Sequence, residues 1–178
     1  MSLVCIDAGH GGKDPGASNG MLEEKNIALD IARKTNNILN HWGIDTVMTR
    51  DEDVFVKLED RADIANNNDC DLFLSIHINA HKNSNANGIE TYCYPGSTEG
   101  NDLANIVQDK LMENTNEVDR GVKEAEFVVL KETSMPAVLA ELGFITNPKT
   151  LGKLSKDYIN FLKAYSLAKA IKEYVEVL

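Results

Sequence analysis

The stretch Leu3-Val4-Cys5-Ile6-Asp7-Ala8-Gly9-His10-Gly11-Gly12 decides the fold. Its first four residues are apolar without alternation, the pattern of a strand buried on both faces rather than one with a wet side. Gly9, Gly11 and Gly12 follow, residues that tolerate the positive φ of a tight turn, and they place His10 just beyond the strand. A strand covered on both faces implies a sheet with helices above and below it, and the chain continues in that way.

Residues 24–41 carry Ile27, Ile31 and Ile38 on one helical face, with Gly43 just past the end. Thr46-Val47-Met48-Thr49 reads as a second strand, residues 54–67 as a helix with Leu58, Ala62 and Ala65, and Leu72-Phe73-Leu74-Ser75-Ile76 as a third buried strand. Ile89–Tyr94 alternates and reads as a strand nearer an edge. Residues 99–114 show a helical stripe of Leu103, Ile106, Val107 and Leu111. Phe127-Val128-Val129-Leu130 and Ala137-Val138-Leu139-Ala140 read as two further strands, and residues 157–177 as a closing helix. Strands alternating with helices predict a three-layer α/β fold: a mostly parallel sheet of about six strands flanked by helices.

At 178 residues the chain fits the ~100–200 residues of one domain, and residues 1–178 are read as a single catalytic domain with no visible second module. With 18 Lys and Arg against 28 Asp and Glu, the net charge of −10 argues against nucleic acid and against anionic lipid as partners. No run approaches the ~18 apolar residues of a membrane span. Cys5, Cys70 and Cys93 form no CxxC pair and are odd in number, so neither a disulfide framework nor a zinc ribbon is expected. The N-terminus has no basic region and no long apolar stretch, which reads as no signal peptide: synthesis in the cytoplasm, with free thiols. Nothing in the sequence sets an oligomeric state.

Sites in parallel sheets form outside the carboxyl ends of the strands. His10 follows the first strand, Glu23 and Glu24 open the first helix, His77 ends the third strand, and Glu141 ends the last. This topology brings residues distant in sequence to one sheet edge. Two imidazoles and one carboxylate are a catalytic zinc set with a fourth position for water. A second, unligated carboxylate can carry a proton from that water to a leaving group. Ile27 begins the buried helical face, so Glu24, three residues earlier, points inward and Glu23 faces solvent. Taken singly, His77 reads as a hydrogen-bonded core histidine, and Glu141 equally well as a carboxylate paired with an arginine. Their coincidence at one edge favours chemistry. A phosphate loop is excluded by the lack of GxGxxG or GxxxxGK[ST]. His41 sits at a helix end and His81 in a polar loop, and both read as structural.

Taken in order, Ile6–Ala17, Glu24-Lys25, Thr49-Arg50, Arg61 with Ala65-Asn66, Ser75–Ala80, Arg120–Lys123 and Met135–Asn147 resemble the zinc-dependent N-acetylmuramoyl-L-alanine amidases, the family found in autolysins, spore-cortex hydrolases and phage endolysins. The resemblance runs from about Leu3 to the last helix. Ala8 and Ala28 depart from the family's usual Pro and Asn. It implies one Zn2+ per chain on His10, Glu24 and His77, Glu141 as the catalytic carboxylate, and a phosphorylase/hydrolase-like α/β fold. The expected reaction is hydrolysis of the amide between N-acetylmuramic acid and L-alanine in peptidoglycan. Its site is the cell wall, reached after release from the cytoplasm. Asn79 and Arg120 are candidate substrate contacts, and polar residues 115–126 a candidate cleft wall. The rival expectations are a zinc peptidase cutting within the stem peptide, a glycosidase using Glu24 and Glu141, and a wall-binding module without catalysis.

Overall fold

The computed structural model describes residues 2–20 and 22–176. Its strands are β1 (Leu3–Ala8), β2 (Asp45–Met48), β3 (Leu72–Asn79), β4 (Ile89–Cys93), β5 (Asp119–Glu124) and β6 (Ala137–Phe144). Its helices are α1 (Glu24–His41), α2 (Leu58–Asn67), α3 (Thr98–Asn114), α4 (Val128–Lys131), α5 (Pro148–Leu154) and α6 (Asp157–Val175). Residue 177, which the closing helix was expected to include, lies outside the described residues. The six strands form one sheet in the order β2-β1-β3-β6-β4-β5. It is parallel except where β4 runs antiparallel to β6.

Each face of the sheet has its own core. Val4, Ile6, Leu74 and Ile76 meet α1, α3 and α6 through Ile27, Ile31, Leu103 and Leu167. Cys5 and Phe73 project to the other face and pack with Ala65 of α2 and Val129 and Leu130 of α4. The period of two along β1 and β3 thus feeds both layers, and this is why these strands show no polar alternation. Helix α1 buries Ile27, Ala28, Ile31, Ala32, Thr35 and Leu39. It stops where Gly43 takes φ +78 and Ile44 N–H turns back to the Leu39 carbonyl at 3.0 Å. Truncating Ile31 to alanine at this fully buried position costs about 2–5 kcal/mol.

Two local expectations are corrected, and the segment expected as a cleft wall proves to hold a strand. Phe127–Leu130 is not a strand: Val128–Lys131 forms one helical turn, closed by Leu130 and Lys131 N–H on the Phe127 carbonyl, which buries Val129 and Leu130 together against α2. Packing overrides the strand preference of its β-branched residues. The strand in this region is β5, drawn from the polar segment expected to be a cleft wall, and it tolerates polar residues because it is a sheet edge. The second helix begins at Leu58 rather than at 54, leaving residues 54–57 as an extended approach.

Candidate active site

The strand order reverses direction around β1: β2 lies on one side of it and β3 on the other. Such a switch point opens a crevice at the carboxyl ends of the two strands. His10 emerges there from β1, and His77 lies near the end of β3. Between them stands Glu24, the first residue of α1 and 4 % exposed.

The Glu24 carboxylate is fixed at both oxygens. Oε2 accepts from Ala17 N–H at 2.8 Å and lies 3.2 Å from His10 Nε2. Oε1 accepts from Ile78 N–H at 2.9 Å and lies 3.0 Å from His77 Nδ1. One donor atom from each of His10, Glu24 and His77 lies within 4.8 Å of the others. Ligands about 2.0–2.1 Å from a tetrahedral zinc are themselves about 3.3 Å apart, close to the 3.2 and 3.0 Å found here. His10 is oriented from behind, its Nδ1 2.8 Å from Asp14 Oδ2, as metal-binding imidazoles commonly are. The three residues fit a divalent transition metal. Glu23, the competing carboxylate, reaches outward to Lys25 and Asn26.

The surrounding backbone is shaped for these rings. His10 sits at φ 59, a left-handed conformation costing about 1–2 kcal/mol in a non-glycine residue. Arg61 holds it there, donating to the His10 carbonyl at 2.6 Å, the Ala8 carbonyl at 2.6 Å and Asp7 Oδ1 at 2.7 Å. Asp7 is fully buried and also accepts from Thr49 and Ser75 at 2.6 Å each. Burial opposes its charge, but Arg61 and the two hydroxyls keep its pKa below the usual carboxylate range. A side chain at Gly9 would collide with the His77 ring, and one at Gly16 with His10 and Glu24.

Glu141 lies opposite His77 in the β3–β6 ladder. It makes no ion pair with an arginine, and its Oε2 is enclosed without a hydrogen-bond partner among the described residues. Burial, reinforced by Glu24 and Glu90, pushes its pKa up to about 7 against the pull of the two histidines. Just beyond it β6 carries a bulge: the residue pairs step from His77↔Glu141 to Asn79↔Phe144. Gly143 takes φ +132 within that bulge. The Leu142 carbonyl there is capped by the Nζ of Lys163, a fully buried lysine on α6. Burial lowers the Lys163 pKa to about 8, with Glu117 opposing.

The electrostatics around Glu24 run the other way. Burial disfavours its charge, yet the bonds to His10 and His77 hold its pKa far below normal. Burial also disfavours a charged His10, but Glu24 and Asp14 raise it to about 9.

Asn79 and Arg120 both converge on Glu90, a buried carboxylate that sequence reasoning missed. Glu90 Oε1 accepts from Asn79 at 2.8 Å and Tyr92 at 2.7 Å, while Oε2 accepts from Arg120 Nε at 2.6 Å and from Lys123. Burial opposes its charge, and Lys123, Arg120 and Tyr92 outweigh it, so its pKa is lowered. The only hint in the sequence is an acidic residue inside the strand Ile89-Glu90-Thr91-Tyr92-Cys93. His41 and His81 are exposed and stand apart from the site.

An α/β crevice with a His–Glu–His donor set and a spare protonatable carboxylate has the parts of a hydrolase acting on amide bonds. Comparison with known proteins agrees. The chain belongs to the N-acetylmuramoyl-L-alanine amidase family, whose profile matches residues 4–173. It is 44% identical over 155 residues to the N-acetylmuramoyl-L-alanine amidase LytC of Bacillus subtilis (strain 168), covering 86% of this chain and 31% of LytC. It is 40% identical over 176 residues to YqiI of the same organism, covering 97% of this chain and 84% of YqiI. Among solved structures it is similar to the catalytic domain of the amidase CwlV from Bacillus (Paenibacillus) polymyxa var. colistinus, with TM-score 0.95, 36% identity and 100% of both chains covered.

Proposed function

We propose that the chain hydrolyses the amide between the lactyl group of N-acetylmuramic acid and L-alanine in peptidoglycan, and that it does so in the cell wall. One zinc ion would be held by His10, Glu24 and His77. When bound, zinc supplies Lewis acidity, lowering the pKa of water to ~7 and polarising a carbonyl. Glu141 accepts the proton of the attacking water at its carboxylate and returns it to the alanine nitrogen as the C–N bond breaks. A group poised near neutrality suits both halves of that transfer. Asp14 and Arg61 keep the His10 ring and its strained backbone in place. Arg120, whose Nε is committed to Glu90 and whose Nη1 reaches the Asn87 carbonyl at 3.4 Å, offers its Nη2 to the stem peptide, and Asn79 acts beside it by bonding Glu90.

The observation that carries this reading is the enclosed oxygen of Glu141, without a partner among the described residues, beside three convergent metal donors. Family membership supports it. Digestion of purified wall by the zinc-loaded protein tests it. The expected products are peptides with new N-terminal alanine, with release abolished by a chelator. New N-termini from within the stem would instead make the chain a peptidase. New reducing sugar ends that persist in chelator would make it a glycosidase.

A further inference from the structure

The cleft is not symmetric about its metal donors. On the β4–β5 side stand Arg120 and Lys123, each about one-third exposed. On the β1–α2 side a cavity of about 320 Å³ opens directly beside His10 and His77, walled by Phe55, Val56 and Leu58. Phe55 is 42% exposed and Leu58 50%. Apolar side chains clustered in water beside a reactive centre mark a ligand-binding groove more often than chance.

This wall is rigid. Arg50 donates to the carbonyls of Ala8 at 2.9 Å, Gly9 at 2.8 Å, Lys25 at 2.9 Å and Glu52 at 3.0 Å. Asp53 accepts from Gly12 N–H and from Lys25 Nζ, both at 2.8 Å. The backbone at Val54 and Phe55 lies so close to Gly11 and Gly12 that a Cβ at either glycine would collide with it. A backbone pinned this thoroughly has no local packing need for exposed Phe55 and Leu58. Their exposure is held, and a held apolar shelf is pre-organised for a ligand.

The two halves of the proposed substrate differ as the two sides of the cleft do. The stem peptide carries free carboxylates. The sugar carries none on its ring and presents a face of C–H groups, which suits the electron-rich face of an aromatic ring. Near the shelf the charges are matched, Asp14 with His10, Asp53 with Lys25 and Asp7 with Arg61, whereas Arg120 and Lys123 share the single carboxylate of Glu90 and leave a net positive charge for a substrate carboxylate. The exposed Lys13 rests its ammonium 4.5 Å from the Phe55 ring centroid, and a sugar stacking on that face displaces this mobile side chain into water.

We propose that the Phe55–Val56–Leu58 shelf is the glycan subsite of the cleft, seating the sugar that bears the lactyl group, so that the stem peptide runs across β6 toward Arg120 and Lys123. This rests on the amidase reading above and adds the direction in which the substrate lies.

The test uses the whole chain as its zinc-loaded Glu141→Gln form, titrated separately with the peptide-free N-acetylglucosaminyl–N-acetylmuramic acid disaccharide and with the L-alanyl-D-isoglutamate dipeptide. Adding Phe55→Ala should weaken the disaccharide about tenfold and leave the dipeptide within about twofold. Adding Phe55→Trp should restore disaccharide affinity, and Lys123→Ala should weaken the dipeptide alone. The proposal is overturned if the disaccharide does not bind, if its affinity ignores Phe55, or if Phe55→Ala weakens the dipeptide instead. Wall digestion by the Glu141-containing protein separates the two claims. N-terminal alanine release with a disaccharide indifferent to Phe55 would sink the shelf alone, and no such release would sink the amidase reading.

Discussion

Two carboxylates face each other across the β4–β6 ladder and live in opposite surroundings. Glu90 accepts four hydrogen bonds, from Asn79, Tyr92, Arg120 and Lys123, and is held ionised. Glu141, its cross-strand neighbour, has an enclosed oxygen with no partner among the described residues and a pKa pushed up to about 7. A buried oxygen left without a donor costs about 1–3 kcal/mol, and a fold retains such a cost where the group has work to do. Glu90 is therefore read as the frame of the cleft wall and Glu141 as its working group.

The two carboxylates should part most sharply when Glu141 is changed. Glu141→Gln should lower the hydrolytic turnover by about 10²–10⁴-fold while leaving the melting temperature unchanged or higher, because the neutral amide removes a poorly satisfied acid. A variant that digests wall at the original rate would end the distinction. Next in size is the support beneath Glu141. Lys163→Met should destabilise the protein by about 3 kcal/mol in urea unfolding, since it uncaps the Leu142 carbonyl and strips Glu117 of a buried partner. Glu90→Gln should cost less, about 1–2 kcal/mol, because Arg120 and Lys123 are over one-third exposed and can turn to water.

The metal-free protein should also show a pH dependence of stability. Glu141 and His10 both have raised pKa values in the folded state, so the fold keeps protons that the unfolded chain releases, and stability falls as pH rises. For Glu141 the window runs from 4.5 to about 7, and for His10 from 6.5 to about 9. Melting temperatures in chelator should decline from about pH 4.5 to about 8, above which Lys163, its pKa lowered to about 8, opposes the His10 trend. Glu141→Gln should flatten the lower window alone.

Much of this was legible from residues. The apolar run Leu3–Ile6 announced a strand buried on both faces, and α1 begins and ends where its pattern placed it. The choice of Glu24 over Glu23 followed from the helical phase set by Ile27, and the His10–Glu24–His77 cluster from the topology of a parallel sheet. Helix α5 was not expected, although Asn147 caps its start and proline takes its first turn. Glu90 was not readable, because its meaning lies in Arg120 and Lys123, which only strand pairing brings to it. The same holds for Lys163, which looks like one more surface lysine until the β6 bulge gives its ammonium a carbonyl to cap. The α4 turn was misread because β-branched residues favour strands until a helix beneath them offers a better burial.

In the proposed mechanism three side chains bind metal while the fourth stays free for proton transfer. Elemental analysis of purified protein after saturation with zinc and removal of excess addresses this directly. One zinc per chain is expected in the unaltered protein and in Glu141→Gln alike, with little or none retained by Glu24→Ala. Zinc lost from Glu141→Gln, or retained in full by Glu24→Ala, would contradict it.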